Sequence, residues 1–141
     1  IGDVAEACVN AGAQALTLVN TSLGMIIDTS TGRPALGNGG GGLSGRGIHP
    51  IAVRAVSDIY SRMPGVAIVG VGGVTNGLEA LEMMLAGASA VQVGTASFAE
   101  PRAAYRIAGE LCRWAERYKI SSWSEVIGLS HRGGFRTTSK Q

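Results

Sequence analysis

Short apolar segments alternate with longer amphipathic ones along this chain. Three apolar runs have the length of strands: residues 15–20, 66–71 and 90–94. Helix-like spacing precedes, separates and follows them, and in residues 49–63 apolar side chains recur every four positions. The pattern predicts the order αβαβαβα. Strands that are apolar throughout and alternate with helices indicate a parallel sheet buried on both faces.

Three such strands alone would leave unpaired edges and uncovered apolar faces. A closed (β/α)₈ TIM barrel avoids this but takes about 250 residues. We therefore interpret residues 1–128 as the carboxyl-terminal three strand–helix units of such an α/β barrel, and residues 129–141 as a polar, basic and mobile tail. The helix-like start without Met suggests a piece of something longer. A small doubly wound domain is the alternative architecture.

Glycines stand where the second and third strands end. Gly72-Gly73 follows one apolar run, and Gly94-Thr95 follows the next. Bare backbone lets N–H groups approach an anion closely, and a helix N-terminus adds its positive dipole. Barrels often bind phosphate after strands seven and eight, beside a short extra helix that "SFAEPR" could form. The pattern therefore predicts a phosphate cradle, with tight turns as the simpler explanation.

Two further stretches fall on the same predicted edge. Asn20 and Thr21 follow the first strand, and an Asn amide, both donor and acceptor, can pair with a planar imide or a carboxylate. An ordinary strand-end turn would use the same residues. In the long segment that follows, "NGGGGLSGRG" (38–47) has a backbone that can lie flat against a ring. A flexible linker is the alternative.

Composition narrows the function classes. The chain is 45% hydrophobic and 16% charged with a formal charge of +2, and its Lys and Arg residues form no stripe, which argues against nucleic-acid binding. No apolar run approaches the roughly 18 residues of a membrane span. Two cysteines predict a reduced, cytoplasmic chain, with Cys8 and Cys112 as buried packing residues. His49 and His131 are interpreted as surface or capping groups, and no metal site is predicted.

The stretches "NTSLGMIIDTSTGRPALGNGGGGLSGRGIHPIAVRAV", "IVGVGGV" and "AGASAVQVGTASF", in this order, closely resemble the carboxyl-terminal half of class-one dihydroorotate dehydrogenases. These are FMN-binding TIM barrels that oxidise dihydroorotate to orotate in pyrimidine (UMP) biosynthesis. The closing "YKISSWSEVIGL" is similar to the NAD-linked subclass. That resemblance implies the catalytic subunit of an oxidoreductase. It also implies that this subunit forms a homodimer and works with a second, electron-transfer subunit that carries FAD and an iron–sulfur cluster.

The resemblance assigns site residues by position. Asn20 and Thr21 match the pair that binds the orotate ring and its carboxylate. The residues matching the FMN site are Val19 and Gly45 beside the flavin, and Gly72, Gly73, Gly94 and Thr95 around its phosphate. No catalytic residue is assigned. In the family, the Cys that acts as general base and a Lys near the flavin both lie upstream of this segment. The isolated segment is therefore expected to be inactive. Arg46 stands where many relatives have Pro.

Two other functions remain open at this point. A flavin-free phosphate-binding barrel, such as a sugar-phosphate isomerase or synthase, would keep the cradle but have no use for the glycine-rich loop. A truncated half-barrel could instead persist as an inactive binding or assembly module.

Overall fold

The structure, a computed structural model, describes residues 1–135. Its helices are α1 (Gly2–Asn10), α2 (His49–Arg62), α3 (Gly77–Ala86), α4 (Ala96–Ala99) and α5 (Ala103–Tyr118), with 3₁₀ turns at Arg46–Ile48, Trp123–Glu125 and Leu129–Arg132. Its strands are β1 (Ala15–Leu18), β2 (Ser22–Gly24), β3 (Ile27–Asp28), β4 (Arg33–Pro34), β5 (Gly41–Leu43), β6 (Ala67–Val71) and β7 (Ala90–Gln92).

The central sheet contains three parallel strands in the order β1-β6-β7. Leu18 lies opposite Gly70, and Val71 lies opposite Gln92. Because the strands are parallel, their carboxyl ends meet at one edge of the sheet, and the segments that follow them are neighbours. The predicted α/β class with a parallel sheet is confirmed.

The core lies between β6 and the helices that flank it. Ile68 of β6 is fully buried, and Ile59 of α2 and Met83 of α3 pack in the same cluster. Gly70 lets Met83 and Ala88 approach the strand, since a Cβ there would lie 3.1 Å from the Ala88 Cβ. The apolar pattern therefore corresponds to burial at Ile68 of β6 and at Ala55 and Ile59 of α2, whereas Ile51 on the same predicted stripe is exposed.

The long segment after β1 is not one continuous loop. Strands β2 and β5 form an antiparallel ribbon, and β3 pairs with β4 in a second, shorter one. These strands are two or three residues long, and β5 is largely glycine. Neither feature gives the alternation of apolar and polar residues by which strands are recognised in a sequence.

The prediction that both cysteines are buried is wrong. Cys8 in α1 and Cys112 in α5 are exposed. Helical spacing identifies an apolar stripe, but it does not tell whether another element covers that stripe; in α1 only Ala5 is buried.

Within residues 1–135, no helix is both long and apolar enough to cross a membrane.

The segment predicted as a tail starts with a short 3₁₀ turn. Ser130 Oγ donates to the Leu85 carbonyl at 2.7 Å, and a ring nitrogen of His131 lies 3.1 Å from the Ala86 carbonyl. Both carbonyls belong to the end of α3, so His131 is confirmed as a capping group. Residues 136–141 lie outside the described residues, and the domain boundary at residue 128 and the mobility of the tail stay predictions.

Two isoleucines of α2 provide a matched test of this core. Ile59 is 1% exposed and Ile51 is 52% exposed. We expect Ile59→Ala to lower the free energy of unfolding by about 2–5 kcal/mol, because it leaves a cavity against β6. Ile51→Ala should cost less than about 1 kcal/mol. Urea denaturation of both variants measures the difference, and equal losses would contradict the packing described here.

Candidate functional site

A pocket of about 280 Å³ opens at the carboxyl edge of the sheet. It is lined by all eight residues that the sequence singled out: Val19, Asn20, Thr21, Gly45, Gly72, Gly73, Gly94 and Thr95. The other lining residues are Ser44, Ile48, Val71 and Phe98. Residues from the ends of all three parallel strands and from the glycine-rich segment therefore meet at one place.

The turn after β6 can be built only from glycine. Gly72 and Gly73 have φ angles of +144° and +68°, which side-chain-bearing residues rarely adopt. A Cβ on Gly72 would lie 2.5 Å from the Ala52 Cβ of α2, and one on Gly73 would lie 2.6 Å from the Gly45 carbonyl oxygen. These two glycines are therefore required by the packing of the chain itself, whatever binds in the pocket.

Gly94 differs from that pair. Its φ lies outside the positive region, and a Cβ there would have no atom within 4 Å. Nothing in the fold of residues 1–135 therefore requires a glycine at this position. The missing side chain leaves open space at the pocket wall. Gly94 is therefore the pocket glycine that could serve to make room for a bound molecule.

Four residues that line the pocket have backbone N–H groups without a partner in the described part of the chain. Within residues 1–135, the N–H groups of Gly72, Gly73, Gly94 and Thr95 donate to no protein acceptor. Four unsatisfied donors around one cavity can bind an anion such as a phosphate. The lining residues carry no side chain that titrates near neutral pH, so the pocket can bind and orient a molecule but offers no acid or base of its own.

The start of α3 does not supply the expected helix dipole to an anion. Asn76 Oδ1 accepts from Glu79 N–H, and a Glu110 carboxylate oxygen accepts from Gly77 N–H at 2.6 Å. An amide oxygen and a carboxylate oxygen of the protein itself thus already accept from this terminus. A short helix does follow Thr95, as predicted, but α4 includes only the first three residues of "SFAEPR".

Asn20 and Thr21 stand at the mouth of the pocket beyond β1. The Asn20 Oδ1 accepts a hydrogen bond from Thr21 N–H at 2.8 Å, while its Nδ2 group makes none within the described part of the chain. The Nδ2 group therefore keeps both of its donors free, and Oδ1 keeps one lone pair. Gly42 of β5 makes room for this pair, because a Cβ there would overlap the Thr21 hydroxyl.

The sequence patterns did not identify two residues that line the pocket, the polar Ser44 and the aromatic Phe98. Ser44 Oγ accepts a hydrogen bond from the Thr95 hydroxyl at 3.0 Å, so the Ser44 proton remains available to the pocket. Phe98 of α4 is 92% exposed and lines the same cavity. Ser44 stands next to Gly45 in "GGLSG", which was a usable signal; nothing local marks Phe98.

An arginine behind the pocket joins the segments that follow β6 and β7. Arg106 donates to Glu100 and to Glu110 at 2.7 Å each, and to the Thr75 carbonyl at 3.1 Å. Its hydrogen bonds are the largest cause holding the pKa of Glu100 below its usual value. The hydrogen bond from Arg106 is also the largest cause that lowers the pKa of Glu110, and the hydrogen bond from Gly77 N–H is the second largest.

Glu79 forms a second anchor at the start of α3. It accepts from both the Thr75 N–H and hydroxyl at 2.6 Å and pairs with Arg46 at 3.0 Å. Burial raises the pKa of Glu79, but the hydrogen bonds from Thr75 and the charge of Arg46 outweigh burial and hold the pKa below its usual value. Arg46, in the 3₁₀ turn before α2, is thus paired with Glu79 of α3.

The interpretation of His49 as a surface or capping group is wrong. Its ring is buried, with Nδ1 2.8 Å from the Gly72 carbonyl and Nε2 2.9 Å from a Glu82 carboxylate oxygen. Its partners lie 23 and 33 residues away in sequence, so no local spacing reveals them.

Within residues 1–135, no cluster of three or more His, Cys, Asp or Glu side chains could hold a metal ion.

Comparisons with known proteins agree on one family. The family model described as dihydroorotate dehydrogenase matches residues 2–114. The chain is 51% identical over 125 residues to "Dihydroorotate dehydrogenase B (NAD(+)), catalytic subunit" of Citrifermentans bemidjiense, covering 89% of this chain and 41% of that protein. It is 48% identical over 128 residues to the protein of the same name from Geobacter sulfurreducens, covering 91% and 42%.

A solved structure gives the same result. The ligand-free type DHODH from Eimeria tenella superposes with a TM-score of 0.74 at 35% sequence identity, covering 92% of this chain and 36% of that chain. The chain thus spans about two fifths of the length of the curated relatives it matches.

The Arg106 cluster predicts a pH dependence of stability. Glu100 and Glu110 have folded-state pKa values below their usual 4.5, so their stabilising effect is complete above that value and is lost as the pH falls through the lowered values. Arg106→Gln removes the main cause. We therefore expect its free energy of unfolding to fall less than that of wild type between about pH 5 and about pH 3.

Urea denaturation across this pH range measures the effect. The control is Arg54→Gln, which breaks an exposed pair within α2 and should keep the wild-type pH slope. An unchanged slope in Arg106→Gln would contradict the role assigned to the cluster.

Proposed function

This chain belongs to the dihydroorotate dehydrogenase family, and on that basis we propose that the protein oxidises dihydroorotate to orotate with FMN, in de novo pyrimidine biosynthesis. The chain contributes the FMN-phosphate site and part of the orotate site. One observation carries the assignment: the eight residues that match the family's ligand-binding positions line a single pocket at the carboxyl edge of a parallel sheet.

The barrel interpretation belongs to the same proposal. We assign the three parallel strands and their helices, residues 1–128, to the carboxyl-terminal part of a (β/α)₈ barrel. The superposition on a DHODH structure and the coverage of about two fifths of the relatives support this assignment. In such a barrel the pocket lies on the face where active sites are found.

The pocket fits the phosphate end of FMN. The free N–H groups of Gly72, Gly73, Gly94 and Thr95 can donate to phosphate oxygens, and the open space beside Gly94 admits the group. Ser44 adds a hydroxyl proton. Val19 and Gly45 lie beside the flavin ring in this assignment. When bound, the flavin accepts the hydride that leaves the substrate.

Substrate recognition falls to Asn20 and Thr21. The free Nδ2 group of Asn20 can donate to a carbonyl or carboxylate oxygen of orotate, and the Thr21 hydroxyl can add a second hydrogen bond. Because the pocket lining offers no titratable side chain, these residues bind and orient the substrate. The proton acceptor comes from outside this segment, so the isolated chain should not turn over.

The partners follow from the family name. The curated relatives are catalytic subunits of an NAD-linked enzyme, which supports a separate electron-transfer subunit. We assign FAD and an iron–sulfur cluster to that subunit and a homodimer to the catalytic one. A cytoplasmic location remains a prediction.

The visible absorption spectrum of the intact protein containing this sequence tests the function. We expect a flavin band that shifts when orotate is added, because the pyrimidine ring then lies against the flavin. A flavin band indifferent to orotate would overturn the substrate assignment. A folded protein without flavin would overturn the cofactor assignment and favour the flavin-free phosphate-binding barrel.

Gly94 offers a test of the cofactor site. Gly94→Val places a side chain in the open space where we locate the phosphate, without backbone strain, so FMN should bind at least about tenfold more weakly. Gly65→Val is the control, since a Cβ there is equally free of neighbours but Gly65 lies in the turn before β6, at the other end of the strand. Flavin content and thermal stability are measured for both. Equal flavin retention would contradict the site.

A further inference from the structure

His49 lies behind the pocket rather than in it. It does not line the cavity; it lies with Glu82 and Arg54 in a groove between α2 and α3. Its Nδ1 is nevertheless 2.8 Å from the carbonyl oxygen of Gly72, a pocket residue. Because a carbonyl oxygen can only accept, Nδ1 carries the proton and donates.

This hydrogen bond fixes a whole peptide group. The Gly72 carbonyl and the Gly73 N–H belong to one planar unit, and in a trans peptide they point in opposite directions. His49 holds the carbonyl on the helix side, and Gly73 lines the pocket, so we infer that the Gly73 N–H is directed away from the helix and toward the pocket. The orientation of an anion-binding donor thus depends on an imidazole that never reaches the anion.

The peptide needs such a constraint because two glycines flank it. Glycine populates positive and negative φ almost equally, so a Gly-Gly peptide can flip at little cost. Gly73 is also held on the side of the 3₁₀ turn, where its Cβ position would lie 2.9 Å from the His49 Cβ. His49 therefore connects the glycine-rich segment that precedes it with the turn after β6.

Glu82 orients the ring from its other side. The Nε2 atom lies 2.9 Å from a Glu82 oxygen, so both groups that face the ring nitrogens are acceptors. Arg54, on the same helix, lines the groove with His49 and Glu82, and Arg46, just before the helix, pairs with Glu79 of α3. A ring with a partner at each nitrogen is held in one rotamer, and the Gly72 hydrogen bond with it.

We propose that His49 is a positioning residue that orients the Gly72–Gly73 peptide so that the Gly73 N–H faces the phosphate. The ligand identity in this statement rests on the function proposed above. The geometric part, that His49 sets the direction of the Gly73 N–H, concerns the ligand-free protein as well.

Two variants separate the two ring nitrogens. Asn has its amide nitrogen where His has Nδ1, so His49→Asn keeps a donor for Gly72 and loses the Glu82 contact. Gln has its amide nitrogen where His has Nε2, so His49→Gln keeps the Glu82 contact and loses the donor for Gly72. We expect His49→Gln to weaken FMN binding about tenfold and His49→Asn to stay within about threefold of wild type.

Flavin fluorescence quenching in the intact protein measures FMN binding, and thermal unfolding monitors stability alongside it. His131→Asn, the same substitution at a histidine outside the pocket, is the control and should bind FMN as wild type does. Equal weakening in both His49 variants would indicate general packing and overturn the proposal, as would full FMN affinity in His49→Gln.

NMR of the ligand-free protein separates the geometric inference from the proposed function. The wild-type ¹⁵N spectrum should show a protonated His49 Nδ1, and the Gly73 amide resonance should move in His49→Gln but little in His49→Asn. An unprotonated Nδ1 in wild type would overturn the inference even if neither variant folded. If wild type binds no FMN, the proposed function fails, while these resonances still decide the role of His49.

Discussion

The close approach of α2 to the turn after β6 is the constraint on which the pocket depends. Gly72 lies so near Ala52 that no Cβ fits between them, and Gly73 lies under the Gly45 carbonyl. This contact brings the glycine-rich segment against the end of β6. Parallel pairing of β6 with β7 then places Gly94 beside the same turn. Three segments distant in sequence thus meet through their backbones, and their free N–H groups surround one cavity.

Charged side chains stabilise this arrangement from behind instead of entering it. Arg106 connects the segments after β6 and β7, and Glu110 accepts from Gly77 N–H at the start of α3. Glu79 accepts from Thr75 N–H just before that helix and pairs with Arg46. These charges pair with one another outside the pocket, and the residues that line the pocket offer only neutral donors. An anion bound there meets amides already held in place, which lowers the cost of organising the site around it.

The same division extends to the proposed chemistry. Binding and orientation come from strand ends and backbone groups described here, whereas a proton acceptor is absent from the pocket lining. In the function proposed above, the flavin carries the redox step. The role that we propose for this chain is then geometric: it holds the phosphate end of the cofactor and one edge of the substrate in fixed positions. His49, which fixes the direction of one donor from outside the pocket, extends that role.

The sequence by itself determined the three parallel strands, the short helix α4 and the eight residues that meet in the pocket, because apolar runs, strand-end glycines and a family motif are local patterns. The tertiary structure decided the role of each pocket glycine. Packing requires Gly72 and Gly73, whereas Gly94 faces open space. It also decided that His49 is buried and Cys8 exposed. Those facts depend on contacts between residues more than twenty positions apart, or on whether any element covers a given face. Periodicity along the chain carries neither kind of information, since burial is a property of packed elements and not of spacing.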